Sequence, residues 1–214
     1  MKYWSLPGLL FLLLVLPGCT LLPEREPVDR AWFLLEPPAE PAPRLADAPL
    51  AVELASVRVA PTWSGKGLVY RLGEHRYEPD YYNEWFLAPA EQFEGLLHER
   101  WTRAGSAIEL VENAARVRAD GRPALRLDVL VTGLYGDLAQ AEDRADAAGV
   151  GRLGLRTRIA SAERADLLHF EAQRPLSRRS PERLVAALSA ATAQVFAELE
   201  DALLATAVGA EADG

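Results

Sequence analysis

Residues 124–136, ALRLDVLVTGLYG, alternate strictly: Leu125, Leu127, Val129 and Val131 fall on one side, Arg126, Asp128 and Thr132 on the other. Successive side chains of an extended chain point to opposite faces, so this segment is a strand with one face on a core and the other toward water. Other segments carry the same pattern. Leu153, Leu155 and Ile159 face away from Arg156 and Arg158, and residues 167–173 follow as a hairpin partner. In LAVELASVRVAP, residues 50–61, Val52 and Leu54 hold one phase and Val57 and Val59 the other, and this slip near Ala55 and Ser56 predicts a β-bulge. WFLL at 32–35 reads as a short first strand and AIELVE at 107–112 as another. GLVYRL (67–72) and HRYEPDYYNEWF (75–86) form a hairpin around Gly73 and Glu74.

Two segments change period. Pro89 opens a helix in which Phe93, Leu97 and Trp101 recur four apart, with Leu96 beside them, and Gly105 closes it. Ser180, Pro181 and Glu182 form a cap, a first-turn proline and an acid, ahead of a stripe through Leu184, Leu188, Ala191, Val195, Leu199 and Ala202. Half of the 214 residues are apolar, which allows a sizeable core. The expected fold is α+β, a single domain with an antiparallel sheet and two helices packed on one face. Its expected bounds are 31–204, after a leader (1–18) and a tether (19–30), with a disordered tail at 205–214.

The net charge of −8 argues against nucleic acid as a partner, because phosphate recognition needs clustered Lys and Arg. One cysteine, Cys19, makes no internal disulfide and cannot build a cysteine-rich zinc site. It follows Lys2, an apolar run from Leu9 to Leu16, and the helix-breaking Pro17-Gly18, a leader too short for the ~20 apolar residues that a bilayer requires. A plain secretory signal, or a buried helix holding a free thiol, would also fit. The sequence LPGC (16–19) resembles the bacterial lipobox, whose cysteine is lipidated and becomes the first residue of the mature chain. That resemblance implies a lipid anchor at Cys19, and Thr20 in place of Asp implies sorting to the outer membrane, on its periplasmic face. Several acyl chains, at ~0.8 kcal/mol per buried methylene, make such an anchor stable. The polar, proline-rich residues 20–30 then form a tether reaching roughly 30 Å.

Sites of catalysis are not evident. GVGRLG (149–154) has the spacing of a dinucleotide loop, but a strand follows it where a phosphate-binding helix is required. SGKG (64–67) lacks the hydroxyl residue after Lys66 and reads as a turn. His75, His98 and His169 form no ligand pair, and no GxSxG elbow is present. No enzyme activity, cofactor or metal is expected. The concentrated signal is aromatic: Tyr70, Tyr77, Tyr81, Tyr82, Trp85 and Phe86 suit an interface or a lipid contact, or in part the core beneath the first helix.

Val69-Tyr70-Arg71, the Tyr81-Tyr82 strand, Trp85, Pro89 and the amphipathic helix after it resemble the ABC-type transport auxiliary lipoprotein component family, of the paraquat-inducible protein C type, over about residues 31–204. The resemblance implies a non-catalytic outer-membrane lipoprotein in an intermembrane lipid transport system. Its implied partners are an MCE-domain protein spanning the periplasm, an ABC permease and an ATPase; a homo-oligomer is also compatible. The rival readings are an envelope-assembly lipoprotein that partners an outer-membrane β-barrel, in lipopolysaccharide or secretion machinery, and a small periplasmic enzyme.

Overall fold

The computed structural model describes residues 29–38, 49–139 and 148–212; Cys19, the leader and nearly all of the tether lie outside them. In chain order the elements are β1 (Ala31–Phe33), β2 (Leu50–Val59), a single 3-10 turn (Pro61–Trp63), β3 (Gly67–Arg71), β4 (Tyr77–Trp85), α1 (Pro89–Thr102), β5 (Ile108–Leu110), α2 (Ala114–Ala119), β6 (Ala124–Asp137), β7 (Val150–Ala160), β8 (Ala165–Pro175) and α3 (Pro181–Ala212).

The strictly alternating segment is the axis of the sheet. Along one edge β6 pairs antiparallel with β7, which pairs antiparallel with β8. Its other edge is shared: the first part pairs with β2, and Gly136 and Asp137 pair with Tyr70 and Arg71 of β3, both parallel. The sheet therefore forks. Beyond β2 lies β5, parallel; beyond β3 lies β4, antiparallel, and then β1, parallel to β4. The α+β single domain is as expected, but the sheet is mixed rather than antiparallel throughout. Period-two patterning fixes which face a residue occupies and is silent on the direction of its neighbour; β3, β4, α1, β5 and α2 lie between β2 and β6 and form the long crossover that parallel pairing requires.

The phase slip of β2 is a real irregularity, with the pairing jumping between Leu54 and Ser56. Val52, Leu54, Val57 and Val59 thereby all join one core with Leu125, Leu127, Val129, Val131, Leu153, Leu155 and Ile159. Both α1 and α3 pack on this face, and Phe93 of α1 meets Phe196 of α3 edge to face at 6.2 Å. A third helix, α2, adds to the two that the sequence predicts. It covers the opposite face, where Ala114 packs on Ala51 and Ala124, the opposite phases of the strands that give Val52 and Leu125 to the main core. Six residues with alanines and arginines give too short a periodic signal to detect. The C-terminal tail is also revised: α3 continues to Ala212, with Leu203 and Thr206 buried, because its apolar stripe does not end at Ala202.

GVGRLG owes its glycines to packing. Gly151 faces Gly136 across the β6–β7 pair, and a Cβ on Gly151 would lie 3.0 Å from Ala187 of α3, so this glycine pair lets the helix approach the sheet closely. Gly149 has φ of +101°, and a Cβ there would stand 2.5 Å from the carbonyl oxygen of Asp137. Gly149→Ala should lower the unfolding free energy by about 1–3 kcal/mol in chemical denaturation, through backbone strain and overpacking together.

Candidate functional site

The six aromatic residues singled out by the sequence are divided among four places. Trp85 is core, 2% exposed, and leaves the candidate surface. Tyr77 belongs to a cluster at the fork of the sheet, with its ring 5.6 Å from Trp63 and 5.7 Å from Tyr135, while Trp63 stacks on Tyr135 at 4.8 Å. The Trp63 indole donates to the Thr132 carbonyl oxygen at 2.7 Å, closing the gap where β2 leaves β6. Beside this cluster Asp137, fully buried, accepts from Arg71 at 3.2 Å and Arg152 at 2.8 Å. Burial and the adjacent Tyr77 push the Tyr135 hydroxyl above its usual range. Arg71, of the Val69-Tyr70-Arg71 motif, is thus a counter-ion for a buried carboxylate.

Tyr70, Tyr81 and Tyr82 line one groove of about 480 Å³ between β4 and the start of α3. Its wall is a wide bulge. Gly67 pairs with Glu84 but Val69 pairs with Pro79, so two steps along β3 oppose five along β4; residues 80–83 lack partners on β3, although Asn83 still pairs with Ala31 of β1. Asp80 holds this turn: its Oδ1 accepts from the backbone N–H groups of Tyr82 (2.9 Å) and Asn83 (3.1 Å), and its Oδ2 accepts from the Asn83 amide at 2.9 Å. Gly67 is required opposite, where a Cβ would lie 2.7 Å from the Asp80 carbonyl oxygen. This is the role of the SGKG turn.

The bulge presents Tyr81 at 73% and Tyr82 at 49% exposure. The floor is Tyr70, whose hydroxyl is pushed up to about 12 by burial, then by Asp80 and Glu182, so it serves as a neutral hydrogen-bonding group. The far wall is the start of α3, where the Ser180 carbonyl accepts from Leu184 N–H at 3.0 Å, in keeping with the expected cap. A hydrogen bond with Ser180 and then with its own backbone lowers the Glu182 carboxyl. The groove offers stacking surface, hydroxyls and the Arg179 guanidinium, features suited to gripping a polypeptide or an amphiphile.

Phe86, 59% exposed, lies elsewhere. It follows β4 at the sheet edge, where its N–H donates to the Phe33 carbonyl oxygen at 2.8 Å, and it shares that edge with Trp32 and Leu34, which are 59% and 41% exposed. The open face of the sheet carries a further feature that the alternation only hinted at: Arg58, Leu130, Arg156 and His169 form one row across β2, β6, β7 and β8. The histidines are dispersed, and among the described residues no group of three or more His, Cys, Asp or Glu is placed to hold a metal ion. No helix among those residues is long and apolar enough to cross a membrane.

A family model described as ABC-type transport auxiliary lipoprotein component matches residues 33–200. The crystal structure of protein XCC0632 from Xanthomonas campestris, described as DUF330, superposes with a TM-score of 0.59 at 16% identity, covering 86% of this chain and 96% of that one. A second crystal structure, of an uncharacterized protein, gives a TM-score of 0.58 at 18% identity over 82% of this chain and 99% of that one. No curated protein matches.

Proposed function

Because this chain belongs to the ABC-type transport auxiliary lipoprotein component family, we propose that it is the outer-membrane lipoprotein of an intermembrane lipid transport system and that it works by binding rather than catalysis. On this reading Cys19 carries the anchor, and the domain docks the distal end of a periplasm-spanning MCE-domain protein whose inner-membrane end joins the permease and ATPase. The observation that carries the docking role is the tyrosine bulge. Tyr81 and Tyr82 are large and exposed, yet they are held by a hydrogen-bonded turn and a glycine contact, so little conformational entropy is lost when a partner covers them.

Affinity isolation of the tagged full-length chain from membranes, followed by mass spectrometry, tests the assignment. Recovery of an MCE-domain protein is the expected result. Recovery of an outer-membrane β-barrel in its place would favour the envelope-assembly role.

A further inference from the structure

The edge formed by β1 and the end of β4 leaves Trp32, Leu34, Phe86 and Leu87 at 59%, 41%, 59% and 42% exposure. Trp32, Leu34 and Phe86 form one patch, with Leu87 next to it in the chain. Trp32 pairs in register with Glu84, and Leu34 and Phe86 each follow two residues later on the same face, joined by the bond from Phe86 N–H to the Phe33 carbonyl oxygen. The patch is rigidly seated. Leu35 N–H donates to buried Gln92 of α1 at 2.8 Å, and Glu36 N–H donates to Ser189 of α3 at 3.0 Å. Exposed apolar side chains fixed side by side mark a surface that is covered in use.

We infer that this edge rests in the headgroup region of the phospholipid bilayer to which the chain is anchored, a proposal that depends on the reading of Cys19 as the lipid-bearing residue. Two observations select a bilayer over a protein. The first is position: the chain running back toward Cys19 leaves the domain at Ala31, one residue from Trp32, so the dozen residues from the anchor join the domain at this edge and are long enough for it to reach the membrane. The second is chemistry. The patch is rimmed by exposed Arg30 and by Lys66, whose ammonium donates to the Phe86 carbonyl oxygen at 3.1 Å. Aromatic and aliphatic side chains with cations around them suit the acyl boundary and the phosphates above it, whereas protein interfaces are depleted in lysine. The acids at this edge are the half-buried Glu84, opposite Trp32, and exposed Asp29 and Glu36 beyond the two ends of β1.

The anchor occupies the single cysteine, so a cysteine placed at Leu34 is the sole free thiol of the acylated chain. Leu34→Cys in the full-length lipoprotein, labelled with a polarity-sensitive fluorophore, is reconstituted into phosphatidylethanolamine and phosphatidylglycerol vesicles with brominated acyl chains. The label at residue 34 should lose emission to the bromine, the same label at Glu171 on β8 should not, and adding Trp32→Ser and Phe86→Ser should abolish the loss. A vesicle-bound chain whose residue 34 stays as unquenched as residue 171, or is shielded without bromine quenching as in a contact between copies, would overturn the bilayer contact alone. A chain that does not float with the vesicles would instead overturn the anchor and this contact with it.

Discussion

Glu200→Ala is expected to lower the unfolding free energy by about 3–5 kcal/mol, the range for breaking a buried ion pair. Glu200 of α3 is 1% exposed and accepts three hydrogen bonds from α1: from Arg100 Nε at 2.6 Å, Arg100 Nη2 at 2.7 Å and the Trp101 indole at 2.7 Å. Truncation removes the carboxylate and leaves the guanidinium and the indole at the seam between the two helices. Since domains of this size are stable by only about 5–15 kcal/mol, the loss is a large part of the total. Equilibrium denaturation by urea checks it. The paired change of Arg100→Met with Glu200→Leu should recover much of the deficit, because no buried charge then remains. A single variant as stable as the wild type would show that the seam is wet.

The second large effect is one of location. Cys19→Ala is expected to leave an unprocessed precursor of full-length mass, without thioether-linked lipid, and to remove the mature chain from the outer-membrane fraction. The proposed anchor would contribute ~0.8 kcal/mol per buried methylene, and no helix among the described residues is long and apolar enough to cross a membrane. Density fractionation with intact-mass measurement reads both parts. A variant that fractionates as the wild type does would contradict the role of Cys19 as the lipid-bearing residue.

Much of this fold can be read from residue periodicity, because face and period are local properties. The Ala55 bulge follows from Val57 and Val59 occupying the wrong phase for Val52 and Leu54, and the α1 and α3 stripes follow from spacings of three and four. The direction of β2 against β6 is not local, so the parallel pairings were missed. The same holds for Asp137, whose arginine partners lie 66 and 15 positions away, and for Glu200, whose partner Arg100 lies 100 positions away. The tyrosine bulge was half legible. Its aromatic content is plain in the sequence, while its shape rests on Asp80 followed by Asn83, residues that cap their own turn inside a segment with the composition of a plain strand. Trp85 and Phe86 are neighbours with opposite fates, core and rim, because adjacent strand residues face opposite ways.

The proposed docking role of the tyrosine groove is measured most directly by the affinity of the purified full-length chain, in detergent, for an MCE-domain protein from the same cell. Saturable binding is expected, weakened at least about tenfold by Tyr81→Ser with Tyr82→Ser, in the range of lost aromatic hot spots, with unfolding stability unchanged. Absence of binding by the wild-type chain, or binding that ignores both tyrosines, would contradict it.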